Sequence, residues 1–209
     1  QKTSFNFSSF IREMYHSFES VADNREIRFV LDNELPETYK VCFDEAEIEK
    51  VFFNLLSNAF KFTPSEGQVT IRVNTVTQAE CELLPHFPAQ YSSILIEAGY
   101  LFIEVIDTGK GFSEQEAEKI FEPFYRSQED IHRQISGTGI GLSLTRSIIL
   151  QHNGCIWTES SETEGTRFMF LLPDTEKQEE GENESPVLSK SAEISKKFDL
   201  LVEETQNKN

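Results

Sequence analysis

Three polar side chains, Asn54, Asn58 and Lys61, follow one another at the spacing i, i+4, i+7. In a helix, this spacing places all three on one face. An amide offers a carbonyl oxygen to a hard cation and N–H donors to phosphate oxygens, and Lys adds a positive charge, so the set suits a magnesium nucleotide. Any surface helix also shows a polar face to water, and on these residues alone that second interpretation stays open.

A second candidate group is the carboxylate of Asp107, which ends a predicted strand and is followed by Gly109 and Gly111. A carboxylate in this position can accept a hydrogen bond from an exocyclic amine, such as that of adenine, and the glycines leave room for the base. A β-turn closed by Asp and Gly has the same composition and remains the alternative for this stretch.

A third candidate is the glycine-rich stretch Gly137, Gly139 and Gly141, which leads into a predicted helix. Backbone N–H groups at such a helix start approach phosphates closely, and the helix dipole favours negative charge there. The spacing GxGxG fits neither GxxxxGK[ST] nor GxGxxG, so the P-loop and Rossmann classes lose support. A plain flexible turn would also explain these glycines when they are considered alone.

The hydrophobic pattern predicts the elements that hold these residues. Asp44–Phe62 is predicted to form one long helix with Asp44 as its N-cap, ending at Thr63 because Pro64 disfavours helical geometry there. Other helical stretches are expected in Ser4–Asn24 (capped by Ser8 or Ser9), in Ser113–Ile120, and from about Leu142 to a C-cap at Gly154. Strands are predicted at Glu26–Asp32, Tyr39–Phe43, Gln68–Val73, Leu101–Ile106, Cys155–Glu159 and Thr166–Leu172.

Composition narrows the function classes. The 209 residues carry a formal net charge of −17, which argues against a nucleic-acid partner or an anionic membrane surface, because both demand basic patches. A local cationic site for ATP remains compatible with this charge. The three separated cysteines predict neither a disulfide framework nor a zinc site and fit a reducing cytosol. We expect a cytoplasmic fragment of a longer protein, without direct membrane contact.

Taken in order, the motifs resemble the ATP-binding catalytic domain of sensor histidine kinases, within the superfamily shared with gyrase, Hsp90 and mismatch-repair ATPases. NLLSNAFKFT (Asn54–Thr63) resembles the N box of that family, DTGKGF (Asp107–Phe112) the G1 box, FEPFYR (Phe121–Arg126) the F box and GTGIGLSL (Gly137–Leu144) the G2 box. The resemblance implies a two-layer α/β (α+β) sandwich of the Bergerat type, with a mixed, mostly antiparallel sheet packed against helices.

The resemblance also implies residue roles. Asn58 is expected to coordinate magnesium, Asn54 and Lys61 to face the phosphates and serve catalysis, and Asp107 to accept a hydrogen bond from the adenine amine. Phe62 is expected near the base, and Arg126 near the phosphates. The remaining nucleotide-binding residues implied are Gly109, Gly111, Gly137, Thr138, Gly139, Ile140, Gly141, Leu142 and Thr166. Residues 112–136 would form the ATP lid, and the cofactors would be ATP and Mg²⁺.

The same resemblance suggests the domain organisation. Residues 1–173 would form the catalytic domain, with a loop insertion at 76–99 in which Ser93–Ile96 extends a strand. Residues 174–209 would be an acidic linker or tail, disordered or partly helical, which suggests a hybrid sensor with a downstream receiver domain. None of the four histidines has phosphoacceptor surroundings. The partners expected are therefore a histidine-bearing dimerisation domain missing from this chain and a receiver domain or response regulator, and the isolated fragment should be nearly inactive.

Three alternatives to a histidine kinase remain. A gyrase- or Hsp90-type ATPase uses a Glu four residues before the magnesium Asn, where this chain has Asn54, a poor general base. An anti-sigma-factor-like serine kinase has the same fold, but Phe5–Leu31 looks more like the segment that follows the dimerisation helices of sensor kinases. A degenerate domain that binds partners without ATP is disfavoured because all four boxes are complete.

Overall fold

The computed structural model of the chain describes residues 1–93, 95–117, 119–126, 138–161 and 163–174. Three of the expectations fall outside the described residues. They concern Gly137, residues 127–136 of the ATP lid, and the tail beyond Asp174.

The chain contributes seven strands and five α-helices within its described residues. The strands are β1 (Thr3–Asn6), β2 (Arg28–Asn33), β3 (Lys40–Phe43), β4 (Gln68–Thr77), β5 (Gly99–Asp107), β6 (Cys155–Ser161) and β7 (Gly165–Pro173). The helices are α1 (Phe7–Asn24), α2 (Glu45–Phe62), α3 (Gln78–Cys81), α4 (Glu114–Ala117) and α5 (Gly141–Gln151), with a 3₁₀ turn at Ala89–Tyr91.

The main sheet has the strand order β2-β4-β5-β7-β6, and β1 pairs with β3 in a separate two-stranded sheet. Strand β2 runs parallel to β4, whereas the other neighbours in the main sheet are antiparallel. Helices α1, α2 and α5 cover one face, and their apolar sides meet buried strand residues such as Ile103 and Phe170. Each fully buried Leu or Phe contributes about 1.5–3 kcal/mol relative to an exposed one. The predicted two-layer, mostly antiparallel fold is confirmed.

Helix α2 has the bounds that the sequence predicts. The Asp44 carboxylate accepts a hydrogen bond from the Glu47 backbone N–H at 3.3 Å and so caps the first turn. The helix ends at Phe62, because Thr63 before Pro64 is extended. The Thr63 hydroxyl donates to the Ala59 carbonyl at 2.7 Å, and the Thr63 backbone N–H donates to the same oxygen at 3.0 Å, so the end of the helix is closed by two hydrogen bonds.

The beginning of the chain differs from the prediction. Ser4 and Phe5 belong to β1, and α1 starts at Phe7 with Asn6 as its N-cap instead of Ser8 or Ser9, so the helix begins earlier than those caps would place it. The Asn6 side chain accepts from the Ser9 N–H at 2.8 Å. Ser8 is buried instead and donates to the Pro36 carbonyl at 2.6 Å. The local pattern misses this arrangement because β1 is a strand only through its long-range pairing with β3.

The end of α5 also differs from the predicted C-cap. Asn153, with φ 59°, adopts the left-handed conformation instead of Gly154. The preceding residue, His152, is buried and ties α5 to α2, because its Nε2 accepts from the Asp44 backbone N–H at 3.3 Å. Its Nδ1 lies 2.8 Å from the Ile148 carbonyl oxygen. His152 therefore has a structural role at the junction of the two helices.

The connection between β4 and β5 contains an ordered segment, residues 78–98 with the exception of Ile94, which we call the insertion. Its helix α3 begins with a capping box between Thr77 and Glu80. Ser93, Leu95 and Ile96 lie outside the strands, so the predicted strand extension is wrong at these residues. Leu95 is 3% exposed because its apolar side chain fills a core instead of alternating along a ladder.

The insertion packs on the sheet face opposite to α1 and α2. The Trp157 indole N–H donates to the Pro85 carbonyl at 3.0 Å, and the Tyr91 hydroxyl donates to the carbonyl of Ile156 at 3.2 Å. A second group of buried apolar side chains, separate from the main core, lies between the insertion and the sheet. Its members are Val76, Cys81, Tyr91, Leu95, Tyr100, Phe102, Cys155, Trp157, Met169 and Leu171.

The first helix and the last strand of this domain meet at Tyr39. The Phe7 backbone N–H, at the start of α1, donates to the Tyr39 carbonyl at 2.8 Å. The Tyr39 hydroxyl donates to the buried carboxylate of Asp174 at 2.6 Å, just after β7. Asp174 in turn donates its backbone N–H to the Gly99 carbonyl at 2.9 Å. None of the helices in the described ranges is sufficiently long and apolar to span a bilayer.

Candidate functional site

Asn54 connects the polar face of α2 to the start of α5. Its Nδ2 donates to the Gly141 carbonyl at 3.3 Å and to the Thr145 hydroxyl at 3.4 Å. Thr145 is fully buried, so the second contact fixes the amide on the interior side of α5. Asn54 therefore positions the helix N-terminus that follows the glycine-rich stretch, next to the polar face of α2.

Asn58 and Lys61 continue this face toward the end of α2, and both are half-buried. The Lys61 ammonium lies 4.8 Å from the centroid of the Phe62 ring. Phe62 is itself half-buried at the last position of the helix. The structure thus places an amide, an ammonium group and an aromatic ring side by side along the last two turns.

Asp107 lies at the end of β5 and is 4% exposed. Its Oδ1 accepts from the Gly109 backbone N–H at 2.8 Å. Burial raises the pKa of Asp107 to about 6, and hydrogen bonds from the backbones of Gly109 and Thr166 partly oppose that shift. Near neutral pH the group is therefore mainly a carboxylate, which is an acceptor in a largely apolar setting.

The turn after Asp107 packs directly against the end of α2. A Cβ at Gly109 would lie 2.7 Å from the Phe62 carbonyl oxygen and equally close to Asp107 Oδ1, so a larger residue has no room there. Gly111 has φ +60°, and a Cβ there would lie 1.9 Å from the Ser161 carbonyl oxygen. The two glycines therefore allow the turn to fit between α2 and β6, which brings Asp107 and Phe62 together.

Thr166 and the segment from Thr138 to Leu142 complete the surroundings. Thr166 is buried opposite Asp107 in the sheet, and its hydroxyl lies 3.1 Å from that of Ser160. The Gly139 carbonyl accepts from the Phe124 backbone N–H at 2.9 Å, so the F box and the G2 box are joined. Ile140 donates its N–H to the Thr138 hydroxyl at 3.4 Å. Leu142 packs against the main core.

Arg126 is half-buried and is the last residue described in the F box. Two residues of the site escaped the sequence analysis. The first is Lys110, whose ammonium lies 5.6 Å from the Phe62 ring centroid. Its position as a cation between the two glycines of DTGKGF is the signal that could have identified it. Thr145 gave no signal, because a helical Thr looks like any other polar helix residue until its burial is known.

The residues of the site fit magnesium and a nucleotide by their donor chemistry. Among the residues that the structure describes, no cluster of three His, Cys, Asp or Glu side chains could hold a metal by itself. Mg²⁺ in nucleotide sites takes few protein ligands beside phosphate oxygens and water, so the single amide oxygen of Asn58 suits this binding mode. Asp107 suits an amine, and the ammonium groups near Phe62 suit phosphates.

Comparison with known proteins places this geometry in a family. The profile described as "Histidine kinase-, DNA gyrase B-, and HSP90-like ATPase" matches residues 43–176. Histidine kinase P4 of Formosa agariphila is 31% identical over 173 residues, covering 80% of this chain and 11% of the relative. Sensor histidine kinase WalK of Bacillus subtilis is 32% identical over 145 residues, covering 69% and 21%. The chain thus spans only a small part of the length of the curated relatives it matches.

A solved structure gives the same assignment. The nucleotide-free catalytic domain of histidine kinase ThkA superimposes with a TM-score of 0.65 at 28% identity, covering 85% of this chain and 99% of that domain. The histidine kinase ThkA in complex with the response regulator protein TrrA superimposes with a TM-score of 0.61 over 85% of this chain and 43% of that chain. With four matching motifs, the matching fold and the family profile, this chain belongs to the histidine kinase-, DNA gyrase B- and HSP90-like ATPase family, as an ATP-binding catalytic domain of the sensor histidine kinase type.

Proposed function

We propose that this domain binds Mg-ATP and donates the γ-phosphoryl group to a histidine on a dimerisation domain outside this chain, as part of a two-component signalling kinase. Residues 1–173 would act as the catalytic unit, with 112–136 as the lid over the nucleotide and 174–209 as an acidic linker. Such a unit would work in the cytoplasm, where ATP is available, and its parent protein would carry a membrane anchor.

Asn54 is the residue that favours phosphoryl transfer over ATP hydrolysis. Its position is the one at which the related ATPases have a Glu that activates water. Here the side chain is an amide whose nitrogen already donates to Gly141 and Thr145. An amide does not take up a proton near neutral pH, so it cannot serve as a general base. Water in the site would therefore stay unactivated, which favours transfer to a partner's imidazole.

Each residue of the site would bind a different part of Mg-ATP. Asp107, as a carboxylate, would accept from the exocyclic amine of adenine, and Phe62 would pack against the base. Lys61 and the N-terminus of α5 would neutralise phosphate charge. The amide oxygen of Asn58 would hold Mg²⁺, which would supply positive charge against the phosphates. No covalent enzyme intermediate is needed, because the acceptor histidine attacks the phosphorus directly once the domains are aligned.

The histidines of this chain support an acceptor elsewhere. His16 lies 2.7 Å from Glu19 on the exposed side of α1, and His86 lies 2.9 Å from Glu159. His152 is buried between α2 and α5. His132 lies outside the described residues. None of the three described side chains lies among the site residues above.

The decisive experiment uses ATP labelled at the γ position and a separately produced, histidine-bearing dimerisation domain from the parent kinase. We expect the 209-residue chain alone to incorporate almost no label and the mixture to label the added domain. The product should be acid-labile, as phosphohistidine is. An acid-stable product would instead favour the serine-kinase alternative. Fast ATP turnover by the chain alone, abolished by Asn54→Ala, would favour a gyrase- or Hsp90-type ATPase and contradict the proposal.

A response regulator or receiver domain would then take the phosphoryl group from the histidine. Support for such a partner comes from the solved complex of ThkA with the response regulator TrrA, whose kinase shares this fold. A pull-down assay with regulators encoded beside the parent gene would test the pairing, and label transfer from the phosphorylated dimerisation domain to one of them is the expected result.

A further inference from the structure

Lys110 is the only side chain of the tripeptide Gly109-Lys110-Gly111, and its backbone is held on two sides. On one side, Gly109 packs against the Phe62 carbonyl at the end of α2, where a Cβ would come within 2.7 Å. On the other side, Gly111 packs against the Ser161 carbonyl at the end of β6. The position from which the Lys110 side chain leaves the turn is therefore fixed by backbone contacts.

Two ammonium groups from different elements converge on one aromatic ring. The Nζ of Lys61, from α2, lies 4.8 Å from the Phe62 ring centroid, and the Nζ of Lys110, from the turn after β5, lies 5.6 Å from it. Each cation is attracted by the aromatic ring. Both side chains thus bring an ammonium group to the end of α2, where Lys61 is the expected phosphate-binding residue. The convergence occurs in a chain with a net charge of −17, in which positive charge is scarce.

We propose that Lys110 is a second phosphate-binding cation of the nucleotide site, acting with Lys61 across the ring of Phe62. This inference rests on the proposed function, because the anion is the triphosphate of Mg-ATP. The N-terminus of α5, which Asn54 holds next to α2, adds partial positive charge toward the same face. Lys110 would thus bind the phosphate chain, while Asp107, three residues earlier, binds the base.

The test compares ligands that differ only in their phosphates. Affinities of Mg-ATP and adenosine are measured by titration calorimetry for the 209-residue chain and for Lys110→Met, Lys110→Arg and Lys50→Met. Lys50 lies near the other end of α2, where it pairs with Glu47 at 2.7 Å, and so controls for the loss of one positive charge. Melting temperatures of all variants are recorded without ligand, because they report folding independently of binding.

We expect Lys110→Met to weaken Mg-ATP binding about tenfold and adenosine binding by less than about twofold, since one charge-assisted contact to phosphate is lost. Lys110→Arg should recover most of the Mg-ATP affinity, and Lys50→Met should leave it unchanged. The dependence of Mg-ATP affinity on salt should be shallower in Lys110→Met than in the wild type. If Lys110→Met does not fold, Lys110→Gln is measured in its place with the same expectation.

Two results would overturn the inference. Unchanged Mg-ATP affinity in Lys110→Met would show that Lys110 does not bind phosphate. An equal loss for Mg-ATP and adenosine would show that it only shapes the Phe62 ring beside the base. The wild-type titration separates these results from a failure of the proposed function. If the wild type does not bind Mg-ATP, both proposals fall, whereas a wild type that binds and a Lys110→Met variant that binds equally well remove only this inference.

Discussion

On the helix-covered face of the main sheet, the polar side chains of interest lie at the ends of elements. Asp107 ends β5, Phe62 and Lys61 end α2, and Gly141 begins α5. On the opposite face, charged side chains lie within the strands and alternate in sign across the sheet. Arg72 contacts Asp32 at 2.9 Å and Glu104 at 3.3 Å, and Arg167 contacts Glu104 at 3.4 Å and Glu159 at 3.8 Å.

The two faces of the sheet therefore differ in role. One carries the candidate nucleotide-binding residues, and the other carries contacts that stabilise the fold. Charges that neutralise one another across neighbouring strands leave little for a ligand to bind, and they protect an otherwise open face. Element ends carry backbone groups and side chains that the secondary structure does not satisfy, so a ligand can use them. Variants on the insertion-covered face should therefore change stability and leave nucleotide affinity alone, whereas variants on the other face should change affinity.

The largest effect is expected at Trp157, which is 4% exposed beneath the insertion. Trp157→Ala removes a ring that contacts Phe87 and Phe102 and should lower the free energy of unfolding by about 3–5 kcal/mol. Trp157→Phe, which loses the indole N–H to Pro85 and part of the ring volume, should lose about 1–2 kcal/mol. Urea denaturation measures both values. A loss of ATP affinity in folded Trp157→Phe would contradict the expectation that residues on this face affect stability and not nucleotide binding.

Asp107 should link pH to stability and to binding with opposite signs. Its pKa in the folded chain is about 6, above the ordinary 3.8. The folded state therefore holds this proton more tightly than the unfolded state does, and the resulting stabilisation is present below about pH 4 and is lost as pH rises through about 6. This contribution is about 2–3 kcal/mol. ATP affinity should instead fall on acidification below about pH 6, because the carboxylate is the acceptor.

Urea denaturation of the wild type and Asp107→Asn at several pH values isolates this contribution from the many other carboxylates. The difference in unfolding free energy between the two proteins should change between about pH 4 and 6. Parallel pH profiles would contradict the prediction. Asp107→Asn should also bind ATP more weakly at neutral pH, since the neutral amide oxygen is a weaker acceptor for the adenine amine than a carboxylate is.

A smaller effect is expected at Glu104, which is 3% exposed between Arg72 and Arg167. Glu104→Gln keeps the shape but removes the charge, and we expect a loss of about 1–2 kcal/mol, because both arginines keep a second carboxylate partner. Calorimetric unfolding measures the loss. Mg-ATP affinity at constant temperature should remain unchanged, and a change of several-fold would show that the two faces are coupled through β5.

The smallest effect is expected at His86, whose side chain is 67% exposed beside Glu159. Exposed pairs of this kind contribute little, so His86→Gln should change the free energy of unfolding by less than about 0.5 kcal/mol. A larger change, measured at pH 6 and pH 8, would mean that the insertion depends on this contact instead of on its buried apolar residues.

The helix-covered face was predictable because its signals are local. Periodicity predicts the polar face of α2. Two residue types predict its ends, since Asp44 caps the first turn and Pro64 stops the helix. Asp107 and the glycines beside it stood out only together with the other motifs, because an ordinary β-turn has the same composition. The motif order then identified the family, although the nucleotide roles of the individual residues remain predictions.

The rest depended on contacts distant in sequence. Pairing with β3 makes β1 a strand, which the local pattern missed, and the helix that follows it is capped by Asn6 and not by Ser8 or Ser9. Leu95 looked like part of a strand because apolar residues flank it, but its apolar character reflects its burial between the insertion and the sheet. Thr145 and Lys110 acquire their roles only when α5 and the turn after β5 meet α2. The local sequence pattern does not indicate these tertiary contacts.

The contact between Tyr39 and Asp174 has a mechanical consequence. Since the start of α1 and the end of β7 are fastened to the same tyrosine, tension applied to the two ends of the domain loads the Tyr39–Asp174 hydrogen bond and the short β1–β3 pairing first. We expect such tension to open this junction before it disturbs the contacts of Asn54 with Gly141 and Thr145, which involve neither end of the domain.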